Sequence, residues 1–501
     1  MFEGQPKGLY ALALANTGER FGYYTMLAVF TLFLKDNFAF SEGTAGVIYA
    51  IFLGLVYFLP LFGGMLADKF GFGKMVTIGI SIMFLGYLLL AIPLGNGIAA
   101  ICAMGGALLL ICFGTGLFKG NLQVLVGNLY DEKKYADKRD SGFSIFYMAI
   151  NIGALFAATA AVEIMRYVQE NFGISKADSY HYAFAIACFS LIVSIAIYYF
   201  SKNTFKHADK SKEKAEGKEE VQEVQISKSE TKERIVALCL VFAVVIFFWM
   251  AFHQNGSTLT FFAEQYTAKS STGIESMLFD VVNLVLCIVI VYSLFALFQS
   301  KSIKGRITSF ALIVLCVAGL IYKYNTLPAE TTIDAPIFQQ FNPCFVVMLT
   351  PVSMAIFSAL AKKGKEPSAP LKIGLGMLVA AVGYILMTIA STGLPTPEEQ
   401  KTANILISPN WLISTYLILT FAELLLSPIG ISFVSKVAPP QYKGMMMGGW
   451  FVATAIGNLL VSIPSLLWGL PLVVVWGVLV ALCLLSAVFI FSILKRLEKV
   501  A

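Results

Sequence analysis

Long apolar runs alternate with short polar segments along almost the whole chain. Each run is long enough to cross a hydrocarbon core of about 30 Å as a helix, which takes roughly 20 residues. The pattern therefore predicts an all-α polytopic membrane protein with 14 transmembrane helices. The predicted spans are 9–34, 42–66, 74–94, 97–128, 141–164, 180–200, 234–263, 276–299, 306–324, 338–361, 371–392, 411–435, 444–466 and 469–494.

The clearest interruption is residues 201–233, which mix charges of both signs and hold few large apolar side chains. We interpret this segment as a solvated linker, helical in part through its Lys/Glu spacing. Six spans precede it and eight follow. The count predicts an N-terminal six-helix bundle over 1–200 and a C-terminal bundle over 234–501 with an extra helix pair, and a substrate path between the bundles.

Composition and charge agree with a membrane location. Of the 501 residues, 58% are hydrophobic and 13% are charged, outside the usual balance of a soluble domain. With a cytoplasmic N-terminus, 28 of the 36 Lys and Arg fall in inner segments and six in outer loops. This bias predicts that both termini are cytoplasmic. The net charge of +6 then reflects topology and gives no reason to expect a nucleic-acid partner. The short outer loops favour a bacterial inner membrane.

All eight cysteines lie within predicted spans, without a CxxC motif or a Cys/His cluster. We interpret them as small core residues, and we expect no disulfide, metal or organic cofactor.

The stretch NTGERFGYYTML, residues 16–27, places charges inside the first span. Helical spacing puts its polar and aromatic residues on one face, namely Asn16, Glu19, Arg20, Tyr23, Tyr24 and Leu27. A charge at mid-membrane costs at least about 2.5–3.5 kcal/mol, so this face should meet a partner or a hydrated cavity. The alternative is a Glu19–Arg20 pair that only locks helices together.

Lys119 is the second buried charge, in the fourth span, with Asn121 and the glycines Gly116 and Gly120 around it. The GxxxG spacing is typical of close helix packing. A mid-span ammonium needs an anion or water, so Lys119 is a functional candidate, although a static interhelical ion pair would also satisfy it.

Polar residues recur at similar depth in other spans. Tyr147 and Asn151 stand one turn apart, and Asn342 lies in a later span. Each Asn alone is explained by an interhelical hydrogen bond. Glu423 is different, because a buried carboxylate must be paired, protonated or hydrated. Ser427 follows it by one turn, next to Pro428, which breaks the local backbone pairing.

His253 lies well inside a late span. An imidazole there suits a proton switch, and it equally suits a hydrogen-bonded gate residue. Together with Arg20, Lys119 and Glu423, it indicates a cavity with a positive and a negative end. Such a cavity fits a small zwitterion, of which a free peptide is an example.

At this point the residues resemble the proton-dependent oligopeptide transporter family of the major facilitator superfamily. ERFGYY is similar to the family's ExxERFxYY element, and FYMAINIG to its FYxxINxG element. GGMLADKFGFGK resembles the superfamily loop between the second and third helices, and AELLLSPIGISFVSKVAPPQYKGMMMGGWF the tenth and eleventh core helices.

The resemblance implies a major facilitator fold of two six-helix bundles plus an extra helix pair, here near 276–324. It implies import of di- and tripeptides by proton symport through alternating access, with protons as the coupling ion. The implied positions are Arg20, Lys119, Tyr24 and Tyr57 at the peptide carboxylate, Glu423, Asn151 and Asn342 at the amine, Ser427 and Trp450 at the pocket border, and Asp68 in a cytoplasmic gating loop.

The chain departs from the family pattern at four positions. Asn16 replaces the first acid of ExxER, and Leu27 stands where many bacterial members have an arginine. His253 and Gln254 occupy the part of the seventh helix where an acid is common. Proton coupling is then expected to rest on Glu19, Glu423 or His253, with Arg20 released when Glu19 is neutralised.

Three other readings stay open. The same fold can carry another small zwitterion or anion, or move peptides without proton coupling. A membrane enzyme is disfavoured, because no nucleophile elbow, metal cluster or Walker loop occurs. A sensor or scaffold is disfavoured by the small size of the linker. The oligomeric state is not predicted.

Overall fold

The computed structural model describes residues 4–135, 138–209, 227–439 and 442–500, apart from the side chains at 140, 141, 443 and 444. Helices dominate it. In chain order they are α1 Lys7–Phe38, α2 Glu42–Phe58, α3 Pro60–Phe70, α4 Phe72–Ala91, α5 Ile98–Asn128, α6 Arg139–Phe172, α7 Lys176–Phe200, α8 Lys228–Phe252, α9 Thr258–Tyr266, α10 Val281–Gln299, α11 Ile303–Asn325, α12 Phe341–Lys362, α13 Ala369–Ala390, α14 Pro397–Ala403, α15 Asn410–Val437, α16 Lys443–Leu460, α17 Ser462–Leu466, α18 Leu472–Ser492 and α19 Leu494–Val500.

Thirteen helical segments of the described chain are long and apolar enough to cross a membrane. The first predicted span, α1, is absent from that set, because Glu19, Arg20 and the neighbouring tyrosines lower its hydropathy. At 32 residues it is nevertheless long enough to span, and it packs against α6 and α7. The predicted all-α polytopic architecture is confirmed.

Three predicted spans are interrupted in the structure. The span 444–466 is α16 and α17, which meet at Val461. The span 42–66 is α2 and α3, which meet at Leu59, directly before Pro60 at the first position of α3. The span 234–263 begins earlier, at Lys228, and a 3-10 turn over His253–Gly256 separates α8 from α9. The last residues of the predicted linker are therefore helical.

The beginning of the linker, residues 201–209, lies against the first helices. The Asp209 carboxylate accepts hydrogen bonds from the backbone N–H groups of Phe72 and Gly73, both at 3.2 Å, and so caps the start of α4. The turn before α4 places Gly71 at φ 103°, a conformation that side chains with a Cβ rarely adopt. The rest of the linker, 210–226, lies outside the described residues.

Helices α1 to α7 pack mainly on one another, and so do α8 to α19. We call these the first and second helix sets. They meet where α2 contacts α16 and α17, and where α6 contacts α12. The sets follow the bundles predicted over 1–200 and 234–501, and that division remains a prediction. Together with α1, the thirteen segments that can cross a membrane make an even number of crossings, so both described chain ends lie at one end of the assembly. We call this the terminal end, and we call the opposite end the distal end.

The extra helix pair is α10 and α11, which pack on each other, with α10 also touching α12 and α6. Residues 273–279 form a 3-10 helix, so α10 begins at Val281, later than the predicted 276. Two short antiparallel strands, β1 Ser270–Ser271 and β2 Thr331–Thr332, pair across the base of this insertion. The insertion is thus closed on itself before the chain enters α12.

The eight cysteines are free. Five of them are buried, but Cys102 on α5 and Cys239 on α8 are exposed and Cys287 is half-buried. The prediction that all are core residues is therefore wrong for these three, because their helices present them at the periphery of the bundle. Within the described residues, no three His, Cys, Asp or Glu side chains are grouped as a metal site would require.

Candidate functional site

A cavity of about 300 Å³ lies between the two helix sets. All nine residues predicted to bind substrate line it, and so does His253. From the first set the cavity is lined by Arg20, Tyr23, Tyr24, Leu27, Ala28, Leu53, Tyr57, Lys119, Gln123, Tyr147, Ile150, Asn151, Ala154 and Ala158. From the second set it is lined by Trp249, Phe252, His253, Asn255, Gln339, Asn342, Pro343, Glu423, Ser427, Ile431, Trp450, Phe451 and Thr454.

Arg20 and Glu19 form a bidentate ion pair in α1. Nε and Nη2 of Arg20 donate to the two carboxylate oxygens of Glu19, each at 2.5 Å. Arg20 is 3% exposed and Glu19 is fully buried. The guanidinium also lies 4.6 Å from the ring centroid of Tyr23. The pair is neutral as a unit, so in this structure Arg20 brings little net charge to the cavity.

Lys119 supplies the free positive charge of the cavity. Its Nζ lies 4.0 Å from the ring centroid of Tyr57, a cation–π contact between α5 and α2. Among the described residues, no carboxylate lies within salt-bridge distance of Lys119. The static ion pair considered from the sequence is therefore not formed, and the ammonium is open to an anionic ligand.

Glu423 supplies the negative charge, from α15. Its Oε2 accepts a 3.0 Å hydrogen bond from Nδ2 of Asn342 on α12. The same amide donates to the Thr420 hydroxyl, also at 3.0 Å, so Asn342 links the two helices. No described cation lies within salt-bridge distance of Glu423. A half-buried carboxylate with one neutral donor retains capacity for an ammonium or a proton.

His253 ends α8 at the 3-10 turn and faces the same cavity. Its Nδ1 lies 2.6 Å from Oδ1 of Asn458 on α16, and because a carboxamide oxygen only accepts, Nδ1 carries the ring proton. The imidazole stacks on Trp249, one turn earlier, with centroids 5.0 Å apart. The ring centroid of Tyr57, in the first helix set, lies 6.0 Å from that of His253. Nε2 is therefore the nitrogen left to gain or lose a proton.

The wall formed by Trp450 depends on a glycine. A Cβ at Gly430 of α15 would lie 2.2 Å from the Trp450 ring, so only glycine lets the indole of α16 approach this closely. Pro428, two residues earlier, lies inside α15 and removes one backbone donor there. This part of α15 carries Ser427 and Ile431 to the cavity.

The two helix sets are joined on the distal side of the cavity. Lys35 donates to Glu264 at 2.5 Å and lies 3.1 Å from Glu42, which links α1, α2 and α9. Further cross-set contacts are Thr31 to the Gly256 carbonyl at 3.0 Å, Gln265 to Glu42 at 2.9 Å, Arg166 to Asp334 at 2.7 Å, Thr159 to Gln340 at 2.9 Å and Gln339 to the Ala28 carbonyl at 3.1 Å.

The terminal side differs. Within the described ranges, no hydrogen bond or ion pair joins the two sets on that side of the cavity. Large apolar side chains of α3 are exposed there, including Phe62 and Met65. The cavity is thus closed toward the distal end by the cross-set contacts, and on the terminal side Leu61 of α3 lies against Gly448 of α16.

Three other candidates lie away from the cavity. Asp68 is exposed on α3, and its predicted gating role stays a prediction. Asn121 donates to the Gly63 carbonyl at 3.1 Å, an interhelical hydrogen bond that explains its burial. Of the predicted glycine pair, Gly116 packs closely on Leu59, whereas Gly120 faces open space. The GxxxG packing prediction is therefore wrong for Gly120.

Sequence reasoning did not assign several cavity residues. Gln123 follows Lys119 by one helical turn, and Trp249 precedes His253 by one turn, so periodicity alone could have found both. Gln339 lies in the 3-10 helix before α12, where helical spacing does not apply. The position of Gln339 in the cavity could not have been predicted from the sequence.

Comparison with known proteins identifies relatives over nearly the whole length. A transporter of Bacillus subtilis (strain 168), YclF, which is described as uncharacterized, is 28% identical over 522 residues, covering 96% of this chain and 94% of the relative. The peptide transporter YePEPT of Yersinia enterocolitica subsp. palearctica serotype O:3 (strain YE-P4) is 29% identical over 485 residues, covering 91% and 87%. The di-/tripeptide transporter of Lactococcus lactis subsp. cremoris is 26% identical over 483 residues, covering 90% and 87%.

Solved structures share the fold. The peptide transporter POT in complex with sulfate superposes with a TM-score of 0.74 at 22% identity, covering 100% of this chain and 96% of that chain. A POT family transporter in complex with 5-aminolevulinic acid gives a TM-score of 0.73 at 20% identity, covering 100% and 98%. The helix arrangement is therefore the major facilitator fold of these transporters.

The profile of PTR2, the POT family, matches residues 73–221, 209–321 and 325–468. These matches cover most of the helices that form the cavity, including α5, α6, α8, α12, α15 and α16. A protein that crosses the membrane many times and shares this profile is a transporter rather than an enzyme. The chain belongs to the POT family.

Proposed function

We propose that this protein is a secondary active transporter that imports di- and tripeptides by proton symport through alternating access. One observation carries the proposal: a single cavity between the helix sets contains a cation and an anion without charged partners, Lys119 and Glu423. A short peptide carries a carboxylate and an ammonium at its two ends and complements both. The names of the relatives, peptide transporter and di-/tripeptide transporter, support the same substrate class.

Within the cavity, the peptide carboxylate lies at Lys119, with Arg20, Tyr24 and Tyr57 at the same end. The amine lies at Glu423, close to Asn342 and Asn151. Ser427 and Trp450 border the peptide, and neutral amides read its backbone with little demand on its side chains.

Protons are the proposed coupling ion, and no organic cofactor or metal is required. Glu423 and His253 are the proposed carriers on the second helix set, and the Glu19–Arg20 pair is the proposed coupling element on the first.

We place the protein in a bacterial inner membrane, with the terminal end in the cytoplasm. The predicted charge bias supports this orientation. The conformation described above is then closed toward the outside of the cell. A test is labelling of a cysteine placed at Lys499 or Lys401 with a membrane-impermeant maleimide in intact cells. Labelling at 401 alone supports this orientation, and labelling at 499 alone reverses it.

The first experiment is uptake of a labelled dipeptide into proteoliposomes, with and without an inward pH gradient at fixed membrane potential. Accumulation above equilibrium that depends on the gradient supports proton symport. Dipeptide uptake that the pH gradient does not stimulate, and that only reaches equilibrium, refutes proton coupling. It still supports peptide transport. No competition by unlabelled dipeptides refutes the substrate class.

An uncoupled peptide facilitator is the second candidate, because Asn16 offers no carboxylate beside the Glu19–Arg20 pair. The same experiment separates it, since a facilitator only equilibrates its substrate. A carrier of another small zwitterion or anion is separated by competition with unlabelled candidates.

A further inference from the structure

Two buried hydrogen-bond donors near the Glu19–Arg20 pair have no acceptor. Asn16 is 4% exposed, and its Nδ2 has no partner in the part of the chain that the structure describes. Tyr87 of α4 is fully buried, and its hydroxyl is likewise unpartnered there. A buried donor left without an acceptor costs about 1–3 kcal/mol. Two such donors close to one carboxylate indicate a second arrangement in which they are used.

Both donors lie near the Glu19 carboxylate, and neither bonds to it in this structure. Asn16 precedes Glu19 by three residues on the same face of α1, where neighbouring Cβ atoms are about 5–6 Å apart. Tyr87 lies on α4, near both Glu19 and Arg20. An ionised carboxylate accepts about four hydrogen bonds, and Arg20 makes two of them. The remaining capacity of Glu19 matches the two orphan donors in number.

Glu19 has few other charged neighbours. The titratable groups that act on it are Arg20 and Tyr24 on its own helix, Tyr87 on α4 and Lys119 on α5. From α2, Tyr57 acts on Arg20. The surfaces of α6 and α7 that pack on this part of α1 are uncharged, with contacts from Gly153, Ala187, Ser190 and Ser194. If Arg20 moves to a ligand in the cavity, the Glu19 charge therefore depends on this small set.

We propose that Asn16 and Tyr87 are positioning residues that hold the ionised Glu19 carboxylate when Arg20 leaves it for the peptide carboxylate. The inference rests on the proposed function and revises its coupling route at Glu19. Glu19 then needs no proton at this step, because two neutral donors replace the guanidinium. An acid at position 16 would instead add a second anion. The protons that drive transport are left to Glu423 and His253.

Transport provides the first test, with Tyr87→Phe and Asn16→Leu compared with the unmodified protein. The apparent KM for a dipeptide is measured in proteoliposomes at equal pH on both sides, at about pH 6 and about pH 8. Without the donors, Arg20 leaves only when Glu19 is protonated. We expect each variant to raise KM about tenfold at the higher pH and less than twofold at the lower pH. The tenfold change corresponds to the loss of one charge-assisted hydrogen bond.

Tyr49 offers a matched control. It is also fully buried with an unpartnered hydroxyl, on α2, and Tyr49→Phe should change KM equally at both pH values. In a Glu19→Gln background, Tyr87→Phe should change KM less than twofold, because no charge remains to be held. A KM increase by Tyr87→Phe that is independent of pH, or that persists beside Glu19→Gln, would overturn the proposal.

A second measurement does not depend on transport. Arg20→Leu mimics the departure of the guanidinium, and the melting temperature of the purified variant is followed at the same two pH values. We expect Arg20→Leu alone to melt at a similar temperature at both, and Arg20→Leu/Tyr87→Phe to melt several degrees lower at the higher pH, with Glu19→Gln restoring it. Equal melting of the single and double variants at both pH values contradicts the proposal. If the unmodified protein transports no peptide, the proposed function fails while this measurement still decides on Asn16 and Tyr87.

Discussion

Lys119 is the residue at which charge complementarity is tested most directly. We expect Lys119→Gln to raise the KM for a dipeptide about tenfold to a hundredfold, because a charge-assisted hydrogen bond to the ligand carboxylate is lost. The unmodified protein should prefer a free dipeptide over its C-terminal amide, and Lys119→Gln should lose this preference. Competition of labelled dipeptide uptake by both compounds measures it.

Lys69→Gln is the control for that change, because Lys69 is exposed on α3. It should retain the preference for the free carboxylate. A Lys119→Gln protein that still distinguishes the acid from the amide would place the carboxylate elsewhere in the cavity.

Glu423 is the corresponding test at the amine end. Glu423→Gln keeps an oxygen that accepts the hydrogen bond from Asn342 but removes the negative charge. We therefore expect gradient-driven accumulation of a dipeptide to be lost. The discrimination between a free and an N-acetylated dipeptide should fall about tenfold or more, measured by competition in counterflow. Glu330→Gln, in an exposed loop, should behave as the unmodified protein. Full accumulation by Glu423→Gln would exclude this carboxylate from coupling.

At the scale of helices, Lys35 determines how firmly the distal side is closed. Its ammonium joins Glu42 of the first set to Glu264 of the second, and its side chain is 14% exposed. We expect Lys35→Gln to weaken the closed state by about 1 kcal/mol, which changes the population several-fold. Distances between spin labels at Thr44→Cys and Thr402→Cys, in a background without Cys102 and Cys239, should shift toward longer values.

Lys176 provides the matched control for this bridge. It pairs with Asp36 at 2.9 Å inside the first set, so Lys176→Gln removes an ion pair without releasing the second set. The label distances should then stay unchanged. Equal distributions in both variants would show that the distal closure depends on other contacts, such as Arg166 with Asp334.

At the scale of the molecule, the insertion α10–α11 should be separable from binding. None of its described residues lines the cavity, and the β1–β2 pairing brings its two ends together. Replacing residues 272–330 with a two-residue Asn-Gly turn should join the strands without strain. We expect dipeptide affinity within about twofold of the intact protein and a lower melting temperature, because α10 no longer covers α12 and α6.

Binding in detergent and thermal unfolding measure these two properties independently. A shortened protein that remains monodisperse but binds peptide more than about tenfold more weakly would contradict the separation. It would show that the insertion acts on the cavity through α6 or α12.

The sequence by itself determined the helices, because membrane burial requires continuous apolar runs and makes them visible without any neighbour. It also determined which charges need explanation, since Glu19, Arg20, Lys119 and Glu423 are costly in a span wherever it packs. Where a span is broken, the prediction was weaker: the breaks at Leu59 and at His253–Gly256 depend on local backbone pairing that periodicity does not contain.

Only the tertiary structure decided how these charges are satisfied. Arg20 and Glu19 neutralise each other, Lys119 lies over Tyr57, and Glu423 is held by Asn342, three outcomes that the chain left open. Apart from the adjacent Glu19 and Arg20, the partners come from helices far apart in sequence, and their side-chain geometry exists only after the helices pack. For the same physical reason, the unpartnered donors of Asn16 and Tyr87 and the distal bridge at Lys35 became visible only in the folded molecule.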